Sequence, residues 1–401
     1  MLTAELRDTA VARLELPQNN YSPGFARTVV AKRPGKTVLV FRRQQRADSV
    51  SVEVIDTIPM GSVASVATGT VTSCAITEAN ALHCWGVPLK QRPFNETTTC
   101  FGAPCDPTPV PAAGNVRSVH IGMNRWCIIG TDDAVVCSDT TGVPGSVAFR
   151  TLAHGWSHSC GLNSEGKAYC WGKAQAGLFG NAPGAPEVGG GHRWVSIAAI
   201  EDRTCGVTDA WQLYCWGILA TPGASVPGAA VCTRTFTEKN GGTSTTSYPC
   251  GINPVRMTLT LQGGTDTTFA DVSDRCARTV SGRVFCHEPT TGRFVERAGI
   301  GPFRSIATGS SFGCGLDAAG SAWCWGENFY GQLGNGTTTS SQSAVKVAAS
   351  HSFRQLSAGS AHVCGVTVAS DVWCWGANHV GQAGAPILTK PLSPVRVRGQ
   401  K

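Results

Sequence analysis

Residues 313–336, GCGLDAAGSAWCWGENFYGQLGNG, set the pattern from which the rest of the chain is read. Cys314 and Cys324 stand ten residues apart around a turn containing Gly320. The second Cys is followed at once by Trp325-Gly326, then by Gly331-Gln332-Leu333-Gly334. The same spacing of ten joins Cys74 and Cys84, Cys127 and Cys137, Cys160 and Cys170, Cys205 and Cys215, Cys276 and Cys286, and Cys364 and Cys374. Gly lies five residues before the first Cys in five repeats (Gly69, Gly122, Gly155, Gly309, Gly359), and Trp-Gly follows the second in five (Trp85, Trp171, Trp216, Trp325, Trp375). The second and fifth repeats carry Ser138-Asp139 and His287-Glu288 there instead, which marks them as degenerate copies.

The spacing has a physical reading. Two strands joined by a tight turn pair residues symmetrically about the turn centre. For Cys160 and Cys170 that centre is Glu165, followed by Gly166; Gly282, Gly320, Asn80 and Asp133 hold the equivalent position in other repeats. Those residue types tolerate the left-handed conformation that ends a three-residue hairpin turn. Each pair is therefore expected to be a cross-strand disulfide within one hairpin. Zinc sites use close pairs such as C-x₂-C, and none occurs here, so no metal is expected. Cys100 and Cys105 read as a bridged loop.

Each hairpin has a strand-like piece before it, as in residues 303–309, and another after it, as in residues 343–348. Four short strands per repeat, seven repeats and no long helical pattern predict an all-β chain, a seven-bladed β-propeller over residues 59–401. The C-terminal SPVRVRG, residues 393–399, is expected to close the ring by pairing into the blade of the first repeat. Residues 1–58 form a short N-terminal β segment with no Cys. Within it, ARTVVAKRPGKTVLVFRRQQRADSVSVEVID reads as three strands with turns near Pro34-Gly35 and residues 45–48.

These repeats, with a small-Gly strand, a hairpin ending in Trp-Gly and then N-x-x-G-Q-L-G, resemble the regulator of chromosome condensation repeat family of seven-bladed propellers. Residues 328–334, NFYGQLG, match that motif fully; residues 378–384, NHVGQAG, match nearly so. The paired cysteines resemble the exported bacterial branch of the family. The N-terminal segment resembles the second half of a bacterial immunoglobulin-like domain, and the missing first half suggests truncation.

Two inserts break the repeat. Residues 87–112 carry Cys100 and Cys105; residues 219–262 carry VCTRTFTEKNGGTSTTSYPC, with Cys232 and Cys250 nine residues either side of Gly241. The second reads as a projecting β-ribbon stapled at its base. Arg234, Phe236, Lys239 and Tyr248 near its tip are the expected contact residues, because aromatic and Arg side chains dominate binding hot spots and loops on rigid scaffolds carry function.

Chemistry is sparse. No G-x-S-x-G, phosphate-cradling glycine loop or zinc signature occurs, so neither enzyme activity nor a cofactor is expected. His154 and His158 fall in the ordinary segment before Cys160. Glu201-Asp202, Asp271 and Asp274 share analogous repeat positions and would matter to a carbohydrate-active reading only by converging on one mouth. The tryptophans after Cys read as packing between blades.

Eighteen Cys point to an oxidising compartment, although MLTAELRDTA has no apolar signal-peptide core. A piece of a longer exported protein, extracellular or at the cell surface, reconciles the two. A net charge of +7, with no basic block, gives no nucleic-acid stripe, and no apolar run is long enough for a transmembrane helix. The expected function is a monomeric binding protein with an extracellular protein ligand. Carbohydrate is the alternative ligand class, and guanine-nucleotide exchange, as in eukaryotic relatives, is the alternative role.

Overall fold

The computed structural model of the chain describes residues 2–6, 12–15, 28–31, 35–43, 46–54, 60–87, 99–100, 103–104, 106–122, 125–138, 143–156, 158–172, 187–219, 230–237, 243–256, 259–260 and 268–397. It divides into two compact units, Met1–Pro59 and Met60–Lys401. In the first, Leu2–Leu6, Gly35–Arg43 and Arg46–Val54 form an antiparallel sheet, and Ala12–Glu15 pairs with Thr28–Ala31. Arg43 pairs with Arg46, so the second turn falls slightly earlier than residues 45–48.

The second unit is a seven-bladed β-propeller, with no helix among the described residues. Its innermost strands are Val63–Thr68, Val116–Ile121, Phe149–His154, Trp194–Ile200, Phe269–Ser273, Ser305–Thr308 and Phe353–Ala358. Each touches the next, and the seventh returns to the first. Blade 6 shows the regular build, Ser305–Thr308, Phe312–Leu316, Ala322–Gly326 and Ser341–Lys346 from the centre outward.

The seven cysteine pairs of the repeats sit directly opposite one another on the second and third strands of their blades. All seven are disulfides, with Cα separations of 4.0–4.1 Å. Cys74 is bonded to Cys84, Cys127 to Cys137, Cys160 to Cys170 and Cys205 to Cys215. Cys276 is bonded to Cys286, Cys314 to Cys324 and Cys364 to Cys374. The degenerate second and fifth repeats, which lack the Trp-Gly step after Cys137 and Cys286, thus keep the same bridge as the regular ones. The residue six after each first Cys has positive φ: Asn80, Asp133, Gly166, Trp211, Gly282, Gly320 and Ser370. Five of these were legible from residue type. Trp211 and Ser370 adopt the same turn without the residue that favours it.

The core is seven wedges, one per blade junction. Each holds the bridge of one blade against an inner-strand side chain and, in most, the post-cysteine tryptophan of the next. Thus Cys314 and Cys324 pack with Phe353 and Trp375, and Cys160 and Cys170 with Trp194 and Trp216. The five tryptophans after Cys are at most 6% exposed, as inter-blade packing requires. Large inner residues also explain the glycine that follows four of the first cysteines. A methyl group at Gly161, Gly206, Gly315 or Gly365 would strike Phe149, Trp194, Phe303 or Phe353.

The C-terminal strand corrects one expectation. Val395–Arg396 pairs with Val372–Gly376 of its own repeat, Cys374 opposite Val395, just as Cys324 stands opposite Val345 in blade 6. It does not enter the blade of the first repeat. The last repeat completes its own sheet, so closure falls to packing, to the backbone bond from Val63 N to the Ser370 carbonyl at 3.0 Å, and to side-chain bonds between blades 7 and 1. Val66 N donates to Gln355 Oε1 at 3.1 Å, Thr68 N to Ser357 Oγ at 3.0 Å, and Trp85 Nε1 to the Gln382 carbonyl at 3.0 Å.

The repeated glycine five before Cys marks the tightest approach in this ring. A methyl group at Gly359 would run into the carbonyl oxygen of Gly69 and the His362 ring, whereas one at Gly61 would meet nothing. Overpacking of this kind costs about 1–3 kcal/mol. Gly359→Ala is therefore expected to lower the urea midpoint at unchanged slope, with Gly61→Ala unchanged. Equal midpoints for the two variants would show that closure is not limited by this contact.

Candidate binding face

Strand direction sorts the loops onto two faces. Innermost and third strands run one way, second and fourth strands the other, so loops after the first and third strands emerge together. The turns after the second strands are short in all seven blades, spanning residues 78–81, 131–134, 164–167, 209–212, 280–283, 317–321 and 368–371. Both long inserts follow third strands: one leaves Leu82–Gly86 and returns at Asp106, the other leaves Leu213–Ile218. They therefore share a face with the loops after the innermost strands, which ring the central channel.

The second insert is built into its blade. Thr243–Arg256 is the fourth strand of blade 4, pairing Cys215 with Val255 and Ile218 with Cys250, and Ala230–Thr237 adds a fifth. Residues 243–249 run past the end of the third strand, roughly 20 Å of extended chain toward the channel-mouth side. Thr237 pairs with Thr243, so the register of the two strands is symmetric about position 240, one residue short of the expected 241. Cys232 stands opposite Tyr248 and Cys250 opposite Ala230. By this register, positions 234, 236 and 248 share one face of the ribbon with 232 and 250. Lys239 and Cys105 lie outside the described residues, as do the side chains of Arg234, Phe236, Tyr248, Cys100, Cys232 and Cys250 and both bridges assigned to those cysteines.

The channel mouth is a cavity of about 350 Å³ lined by all seven blades. Of the four carboxylates singled out by repeat position, two reach it, Glu201 and Asp274. Glu201 occupies the loop after the innermost strand of blade 4 with φ of 53°, and Arg275 donates to its Oε1 at 2.6 Å. Asp274 sits in the corresponding loop of blade 5, where burial pushes its carboxyl up to about 7 against the opposing pull of its own backbone N–H and Arg275. Asp271 faces Arg278 instead, at 2.5 Å.

Blade 5 owes its departure to a deletion. The inner aromatic Phe269 lies seven residues before Cys276, whereas Phe149, Phe303 and Phe353 lie eleven before theirs. The shortened hairpin pairs Ser273 with Cys276 and has no place for the repeated glycine. Its His287, directly after Cys286, takes the place of the post-cysteine Trp. Arg203 Nη1 donates to His287 Nδ1 at 2.8 Å, and His287 Nε2 donates to the Leu219 carbonyl at 3.0 Å, tying blade 5 to the base of the second insert.

His154 and His158 are structural in blade 3, with Nδ1 of His154 on Ser159 Oγ at 2.8 Å and Nε2 of His158 on Thr204 Oγ1 at 2.7 Å. No group of three or more potential metal ligands occurs among the described residues. The sequence reading passed over Trp156, 50% exposed in the channel-mouth loop of blade 3. It also passed over Phe329, 64% exposed, beside Tyr330, whose ring meets His379 at 5.1 Å. The non-periodic position of Trp156, absent from the other repeats, was the available signal.

The regulator of chromosome condensation (RCC1) repeat matches residues 149–177, 303–332 and 353–382, and a second pattern of that description matches 319–366. Human and mouse E3 ubiquitin-protein ligase HERC2 are each 27% identical over 218 residues, 49% of this chain. The chain spans about 4% of the length of these curated relatives. Among solved structures, human WBSCR16 is 14% identical with a TM-score of 0.49, covering 94% of this chain and 88% of that one. Yeast RCC1 (Prp20) bound to Kap60 is 16% identical with a TM-score of 0.43, covering 84% and 75%. The ectodomain of the Physcomitrella patens receptor kinase CR4 is 18% identical with a TM-score of 0.45, covering 78% and 73%.

Proposed function

We propose that this chain, a propeller of regulator of chromosome condensation repeats, is an exported, non-enzymatic binding protein that takes a protein ligand on its channel-mouth face. The observation that carries the reading is the asymmetry of the two faces. Both long inserts emerge from one, while the turns after the second strands on the other are four or five residues long. Seven disulfides, with no free Cys among the described residues, support an oxidising compartment.

A ribbon continuous with the fourth strand of blade 4 is anchored by backbone pairing, so its contact residues lose little freedom on binding. Arg234, Phe236, Lys239 and Tyr248 remain the contact residues of this reading. Replacing Phe236 and Tyr248 together by Ala is expected to abolish capture of the extracellular partner while the thermal melt stays unchanged. Pull-down from secreted and cell-surface fractions, with the melt measured in parallel, checks it. Undiminished capture would move the site off the ribbon.

A further inference from the structure

The channel mouth combines features that the ribbon does not explain. Among the described residues its lining includes no Lys or Arg, and Arg275 beside it is engaged by Glu201 at 2.6 Å. Its two carboxyl groups carry little free charge. Glu201 is held by Arg275 at 2.6 Å, and Asp274 lies in a wall that favours its neutral form. A bare cation is therefore poorly served as well. What remains is a concave, hydroxyl-rich surface whose members include Thr70, Ser310 and Ser360, one in each of three loops around the mouth.

One further observation points to an occupant. Trp156 presents a half-exposed indole at the rim, in a protein whose post-cysteine tryptophans are all buried. At about 350 Å³ the cavity sits near the lower bound of small-molecule sites, roughly 300–1,000 Å³. That volume suits one or two pyranose rings rather than a long polymer.

We propose that the channel mouth binds an uncharged sugar, the terminal hexose unit of a glycan. The apolar face of the ring lies on Trp156, and the hydroxyls are taken by Asp274 and Glu201. In its protonated form Asp274 donates as well as accepts, while the paired Glu201 accepts only, so the two match hydroxyls that act as both donors and acceptors. The site is separate from the ribbon and stands whether or not the ribbon carries a protein ligand.

Saturation-transfer NMR on the whole chain tests this with methyl glucoside, methyl galactoside, methyl N-acetylglucosaminide, cellobiose and lactose as probes. The expected result is saturable transfer to at least one of them. Trp156→Ala is expected to weaken the binding about tenfold or more, and Trp156→Phe, which keeps a smaller ring, to retain part of it. The Phe236/Tyr248 double Ala variant should bind the sugar like the parent. Inorganic phosphate in excess should leave the signal unchanged. Absence of saturable transfer to every probe, undiminished binding by Trp156→Ala, or displacement by phosphate would each overturn the proposal.

Discussion

Native protein treated with an alkylating agent under non-reducing conditions is expected to show no modification at the fourteen cysteines of the seven hairpin bridges. Reduction is then expected to lower the denaturant midpoint sharply. Each bridge closes a loop of eleven residues, and the loop-closure entropy removed from the unfolded chain is worth roughly 3 kcal/mol per bridge. Seven such contributions do not add, because an unfolded chain cross-linked at one hairpin is already partly ordered at it. Even a fraction of the sum matches the whole stability of an ordinary domain, about 5–15 kcal/mol. The bridges also fill space, since every wedge of the core contains both sulfur-bearing residues of one blade. Replacing Cys314 and Cys324 by Ser would therefore remove a covalent link and place two hydroxyls in a wedge where both positions are 0% exposed. The expected order of urea midpoints is oxidised parent, then the Cys314/Cys324 double Ser variant, then fully reduced protein. A reduced protein as stable as the oxidised one would refute a stabilising role for the bridges.

The hairpins were legible in the sequence because everything that specifies them is local. A disulfide across ten residues, a left-handed position six after the first Cys and a Trp-Gly step all lie within one turn of chain. The bridges between Cys127 and Cys137 and between Cys276 and Cys286 were legible even without the Trp-Gly step, because the spacing alone places the two cysteines opposite each other. What connects one blade with the next was not legible. Ser73 meets His362 at 2.8 Å across 289 residues, and Thr204 meets His158 across 46. Neither pair is visible until blade adjacency is known. The same holds for ring closure: the SPVRVRG segment looked unpaired only because its partner strand lay some twenty residues upstream in its own repeat. The channel mouth fell between these cases. Repeat position correctly suggested that Glu201 and Asp274 could converge, but only the fold shows Asp271 turned toward Arg278 and Trp156 standing at the rim. On the ribbon, the backbone register is symmetric about position 240, one residue from the midpoint of Cys232 and Cys250, because strand pairing and not symmetry between cysteines sets the register.

Acidification is expected to destabilise the propeller well above the pH at which its surface carboxylates titrate. His158 and His362 are fully buried, each with Nε2 on a hydroxyl of the neighbouring blade. Burial holds His158 down at about 3, with Arg125 adding to the effect, and His362 at about 4. Burial likewise lowers His154 and His287 to about 3, and Arg203 reinforces it at His287. Because these folded-state values lie below the unfolded 6.5, falling pH protonates the unfolded chain first. The histidines' contribution is therefore complete above about pH 6.5 and is lost as pH falls through the window down to about 3–4, whereas the raised carboxyl of Asp274 acts in the opposite sense. At about pH 4.5, two units into that window, each fully buried histidine forfeits roughly 2–3 kcal/mol. The ring contains its own control. In blade 6 the equivalent position is Phe312, which packs on Gly309 as His362 packs on Gly359, and the facing residue in blade 7 is Val363 in place of Ser or Thr. Exchanging His158 and Thr204 together for Phe and Val copies that apolar pair into the junction of blades 3 and 4. The double variant should keep its neutral-pH urea midpoint within a small margin and lose less stability than the parent at about pH 4.5, by about one histidine's share. Equal pH dependence in parent and variant would mean that His158 is not the proton-refusing group the buried geometry makes it.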